Sequence, residues 1–66
     1  MLVGRVRRGN YMFVTYAGDH PPRHVHIFRD RKLIMKWDLE EGRVLYGKAS
    51  GRIVRLVGEL VREGRL

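Results

Sequence analysis

The chain has 66 residues, enough for one domain with a thin core and little room for a deep cleft, because a domain of this size buries only about 60% of the surface its unfolded chain exposes. Fourteen Lys and Arg against seven Asp and Glu give a formal charge of +7, which favours polyanions or an acidic protein partner. The absence of cysteine excludes disulfide staples and thiolate metal sites, so a homodimer is the expected way to gain buried area.

Residues 1–10, "MLVGRVRRGN", alternate weakly and end in a turn-forming Gly-Asn pair, which reads as an edge strand or loose arm. The longest unbroken apolar run near the start, residues 11–14, is far shorter than the roughly 7–15 residues of a secretory signal core or the ~20 of a spanning helix. A soluble, cytoplasmic protein is therefore expected. Residues 11–17, "YMFVTYA", are aromatic and β-branched and predict a central strand, closed by Gly18 and Asp19. Pro21 and Pro22 exclude helix and force an extended approach to the next segment.

Two alternating segments, residues 23–28 and 33–38, flank a tight "RDRK" turn. A three-residue loop at 29–31 pairs Phe28 with Lys32, sets Ile27 opposite Leu33 and Val25 opposite Met35, and so gathers the apolar residues on one face. A two-residue loop would set His26 opposite Met35, and the apolar match favours the first register. It leaves Arg31 in a left-handed position where Gly is preferred. On the other face it places His24 opposite Lys36 and His26 opposite Ile34, with Asp38 two residues along. A turn at Glu41-Gly42 leads to a short strand at 44–46.

The last segment carries the clearest helix. Ala49, Ile53, Leu56, Val57, Leu60 and Val61 recur at the spacing of one helical stripe. Ser50 suits the N-cap, Gly64 the C-terminal stop, and Arg55–Glu59 an i, i+4 ion pair. The expected architecture is a single α+β domain over 1–66. It has strands within 11–46, forming three or four antiparallel strands, covered on one face by a single C-terminal helix over 49–63.

The stretch "GDHPPRHVHIF" holds all three histidines within seven residues. With the downstream "LIMKWDLEEGRVLYGKASGRIVRLVGEL", it resembles a family of short prokaryotic proteins, domain of unknown function 4160, which carries a D-H-x-P-P-H-x-H signature. Its Asp and first His fall on Asp19 and His20, the prolines on Pro21 and Pro22, and the closing H-x-H on His24 and His26. The spacer here is Arg23, after the prolines rather than before them. The resemblance covers the chain from about Tyr11 onward and implies a component of a toxin–antitoxin module, without supplying a mechanism.

Three chemistries are open to these residues. In a strand, side chains two apart point the same way roughly 6.5–7 Å apart, so His24 and His26 can converge on zinc or another divalent metal, with His20 or Asp38 as a third ligand. Alternatively, His24, His26 and Lys36 form an acid, a base and a cation for metal-independent ribonuclease chemistry, Asp19 or Asp38 orienting an imidazole and Arg23 holding a phosphate. The third reading is binding without catalysis and needs no cofactor. In it, RNA, DNA or an acidic protein docks on the His-bearing face or on the basic helix face of Arg52, Arg55 and Arg62. Met12 and Met35 read as core filler, and residues 38–41 as a solvated acidic run before a Gly turn.

Overall fold

A computed structural model describes residues 2–18, 21–48 and 50–66. Five strands, β1 (Leu2–Arg8), β2 (Tyr11–Tyr16), β3 (His24–Arg29), β4 (Lys32–Asp38) and β5 (Arg43–Gly47), precede one helix, α1 (Gly51–Arg62). They form an antiparallel meander in the order β1-β2-β3-β4-β5. The α+β expectation holds, but the sheet has five strands rather than three or four. Both marginal segments pair: residues 1–10 supply an edge strand, and the short segment after Gly42 supplies the opposite edge.

Alternation within the strands sets the core. Phe13 of β2, Val25 and Ile27 of β3 and Met35 of β4 are buried in one cluster with Ile53, Val57 and Leu60 of α1. Val6, Tyr11, Trp37 and Val44 extend it across the sheet, and Leu56 and Val54 along the helix. Fully burying a side chain of this kind contributes about 1.5–3 kcal/mol, so these few residues carry most of what holds the fold together. Of the predicted helical stripe, Ala49 lies outside the described residues and Val61 is exposed. Val61 lies about 80° around the helix from Ile53 at 3.6 residues per turn, on the margin of the buried stripe.

The helix ends obey their sequence signals. Ser50 accepts a hydrogen bond from the Ile53 N–H at 3.4 Å. At the other end Gly64 adopts φ +75°, with the Gly64 N–H bonded to the Val61 carbonyl and the Arg65 N–H to the Leu60 carbonyl, a Schellman closure. The expected Arg55–Glu59 pair does not form among the described residues. Glu59 instead meets Arg8 of β1 at 3.6 Å, and Glu63 binds the same guanidinium through two hydrogen bonds of 2.6 and 2.9 Å. These contacts tie the end of the helix to the edge strand. The Arg8 hydrogen bond holds the Glu63 carboxyl below its usual pKa, and the Arg8 pKa is raised in return.

The β3–β4 hairpin departs from the expected register in an instructive way. Its loop has two residues, Asp30 and Arg31, both left-handed at φ 51° and 66°, so Arg29 pairs with Lys32 and Phe28 with Leu33. A register shift between Ile27 and Phe28 then sets Ile27 opposite Met35, His26 opposite Lys36, Val25 opposite Trp37 and His24 opposite Asp38. The turn alone would have put histidines against the core. The bulge, which inserts Ile34, restores the parity for residues 24–27, which keep their expected faces while their partners move two residues along; Leu33, expected opposite Ile27, changes face to pair with Phe28.

That bulge is seated against Gly47. A Cβ at Gly47 would stand 2.1 Å from the Ile34 carbonyl oxygen and 3.3 Å from Met35 Cα, and Gly47 itself has φ +81°. Only glycine permits this approach of β5 to the bulged part of β4.

Candidate functional site

The sheet face opposite α1 carries His24, His26 and Phe28 from β3, because these alternate with core-facing Val25 and Ile27. Cross-strand pairing extends the row: Arg5 lies opposite Val14, Val14 opposite His26, His26 opposite Lys36, and Lys36 opposite Tyr46. One line across the sheet thus runs from a guanidinium through an imidazole and an ammonium to a phenol. Lys36 Nζ stands 5.9 Å from the Tyr46 ring centre.

The two imidazoles are adjacent and held. Their ring centres are 5.0 Å apart, and the Tyr16 ring meets His26 edge-on at 4.9 Å. His24 Nδ1 lies 2.7 Å from the Pro22 carbonyl oxygen. A carbonyl can only accept, so Nδ1 carries the hydrogen and Nε2 is the accepting nitrogen of the neutral ring. The Pro22 carbonyl thereby fixes the tautomer of the histidine two residues on. The peptide bond between Pro21 and Pro22 is cis.

Beside this pair lies a concave surface of about 940 Å³, lined by Arg5 and Arg7 of β1, Met12, Val14 and Tyr16 of β2, Phe28 and Arg29 of β3, and the Asp30–Arg31 turn. Four arginines face one carboxylate, Asp30, there. Among the described residues none of the four forms an ion pair, whereas Arg8, between them in sequence but on the helix side, is bound by two carboxylates. Arg8 is thus compensated where β1 meets the end of α1, while these four arginines of the open side, like Arg52, Arg55 and Arg62 on α1, form no ion pair among the described residues. Sequence reasoning missed Arg5, Arg7, Arg29 and Arg31 as a group. The signal was the period-2 spacing of Arg5 and Arg7 around Val6, legible once residues 1–10 are taken as a strand rather than an arm.

A smaller concavity of about 270 Å³ adjoins His24, with Tyr16, Pro21, Arg23 and Glu40 among its walls. Tyr16 lines both surfaces. Of the aromatic residues, Phe13 lies in the core, with Tyr11 and Trp37 packed against it, while Tyr16, Phe28 and Tyr46 are left for the open face, where Tyr11 also lines the arginine-bearing surface.

The remaining predicted site residues are dispersed. Asp19 and His20 lie outside the described residues. The Arg23 N–H donates to the Glu40 carboxylate, and its carbonyl accepts from the Leu39 N–H at 2.9 Å, pinning the start of β3 to the turn after β4. Asp38 is fully buried opposite His24, yet its Oδ1 accepts the N–H groups of Glu40 and Glu41 at 2.8 and 2.9 Å. Its Oδ2 faces Arg43 Nε at 3.6 Å. Those bonds, the one from the Glu41 N–H foremost, pull its pKa below the usual carboxylate range. Asp38 therefore caps the turn into β5, a structural task, and is not deployed toward the imidazoles.

Arg52 and Arg55 are exposed on α1, across the sheet from the histidines, although the Arg52 guanidinium reaches Gly9 of the β1–β2 turn, at the rim of the arginine-lined surface. No group of three or more His, Asp or Glu among the described residues is arranged to hold a metal ion; of the predicted ligands, His24 and His26 are adjacent and His20 lies outside the described residues. No helix among the described residues is long and apolar enough to cross a membrane.

No curated protein and no solved structure matches the chain. Residues 10–65, which span both prolines, the H-x-H strand, the hairpin and the helix, match the family described as Domain of unknown function (DUF4160), and the chain belongs to that family.

Proposed function

We propose that this protein binds single-stranded nucleic acid along the open face of its sheet. The observation that carries the reading is the gathering of Arg5, Arg7, Arg29 and Arg31 on one concave surface, without ion-pair partners among the described residues. A basic groove with aromatic rings on its floor tracks a flexible phosphate backbone and lets bases stack, which Tyr16 and Phe28 suit. A concave sheet offers no protruding helix for a major groove, so a single strand fits better than a duplex. Two copies meeting by this face would oppose arginine to arginine about a twofold axis, and such like-charge contacts are costly. In the toxin–antitoxin setting that the family resemblance implies, this reading assigns the chain a nucleic-acid target rather than an acidic protein.

The test is fluorescence anisotropy with a labelled single-stranded RNA over a salt series. The R5Q/R7Q double variant should weaken binding and lower the salt slope by about 1.4, since each phosphate contact to a single strand contributes ~0.7. The R55Q/R62Q variant on the helix face should bind nearly as tightly as wild type. The reverse pattern would overturn the assignment to the sheet.

A further inference from the structure

Resting on that reading, we infer that the open face also cleaves the RNA it binds, with His24 and His26 as the proton-transferring pair and Lys36 as the cation at the reacting phosphate. Three independent observations converge. The imidazoles lie side by side, ring centres 5.0 Å apart, close enough to serve the two ends of one phosphodiester. The Pro22 carbonyl holds His24 in the tautomer whose Nε2 accepts a proton, as a general base requires. Lys36 is the direct cross-strand partner of His26, and side chains so paired stand about 4.5–5.5 Å apart at Cβ, within reach of the same phosphate.

The surface supplies the path. Tyr16 forms part of the wall of both the arginine-lined groove and the smaller concavity beside His24. A strand anchored by Arg5 and Arg7 can therefore continue past Tyr16 and bring its next phosphate to the histidines. β2 spans roughly 17 Å from one end of that track to the other, at about 3.4 Å per residue.

The step balances without metal or co-reactant. His24 Nε2 takes the proton of a 2′-hydroxyl as its oxygen bonds to the adjacent phosphorus. The bond from phosphorus to the 5′-oxygen breaks, and protonated His26 gives that oxygen its proton. The products are a 2′,3′-cyclic phosphate and a free 5′-hydroxyl. The Lys36 ammonium offsets the charge that builds on the non-bridging oxygens. The two histidines then exchange protons with solvent and recover their starting forms. Chain composition permits this because imidazole is the side chain that donates and accepts near neutral pH.

The experiment incubates the full chain with a 5′-labelled single-stranded RNA in excess EDTA, alongside its 2′-O-methyl counterpart, and measures binding and cleavage separately. The expected result is cleavage to a cyclic phosphate from the RNA, with the 2′-O-methyl strand bound but intact. His24→Asn retains a side-chain N–H to meet the Pro22 carbonyl. It and His26→Ala should each still bind the RNA, within a few-fold of wild type, and cleave at least about 100-fold more slowly, the lower end of what general acid–base catalysis supplies. RNA that is bound and left whole would overturn this inference while leaving the binding reading standing. Cleavage that survives both substitutions would also overturn it, and RNA that is not bound at all would overturn both.

Discussion

Replacing Arg31 with glycine should make the protein more stable and a poorer binder. Arg31 occupies the second position of the β3–β4 turn at φ 66°, a conformation that costs a residue with a Cβ about 1–2 kcal/mol. Glycine removes that strain but adds freedom to the unfolded chain, returning about 0.4–1 kcal/mol. The net expectation is a gain of roughly 0.5–1 kcal/mol, equivalent to a rise in Tm of about 2–8 °C for a domain of this size. Arg31 also lines the basic groove, and its loss removes one phosphate contact. An exposed contact of this kind is worth up to about 1 kcal/mol, so affinity for single-stranded RNA should fall up to about fivefold, with the salt slope reduced by ~0.7. Calorimetry and anisotropy on the same preparation read both quantities. A variant that is more stable and binds as wild type would refute the assignment of Arg31 to the groove. One that is less stable would refute the strain argument.

Gly47 and Gly42 separate backbone strain from collision. Both have positive φ, +81° and +71°, but a Cβ at Gly42 meets nothing within 4 Å, while one at Gly47 strikes the Ile34 carbonyl. Gly42→Ala should cost about 0.5–1 kcal/mol, the same strain less the same unfolded-state offset, and Gly47→Ala roughly 3 kcal/mol or more, measured by urea denaturation; equal costs would contradict the seating of the β4 bulge on Gly47. Asp38 makes stability depend on acid. Its carboxyl is held below the ordinary value of about 3.9, so its contribution is complete above that pH and is lost as pH falls through the lower folded value. Asp38→Asn should flatten the dependence of Tm on pH below about 4, and an unchanged acid profile would show that the turn contacts of Asp38 do not govern it.

Much of this fold is readable from local chemistry. Ser50 and Gly64 mark the ends of α1 because capping needs only a side-chain oxygen and a residue tolerant of positive φ. The alternation of Val25 and Ile27 with His24 and His26 assigns faces by parity alone. What parity does not contain is the sum of two irregularities. A two-residue turn and a one-residue bulge together leave the faces of residues 24–27 unchanged and shift their partners, so His26 meets Lys36 instead of Ile34. The bulge depends on Gly47, which is distant in sequence from the turn it compensates. Long-range ion pairs escape for a similar reason: Glu59 has a suitable arginine four residues before it, yet β1 folds back and presents Arg8. The arginine groove assembles from β1 and the β3–β4 turn, which only the sheet order brings together.

The most direct test of binding along the open sheet face tracks backbone amide and side-chain methyl signals of the labelled protein during titration with a short single-stranded RNA. Shifts are predicted at Met12, Val14, His26, Phe28 and Arg31, with α1 nearly silent. Shifts confined to residues 51–62, or no shifts at all, would contradict it.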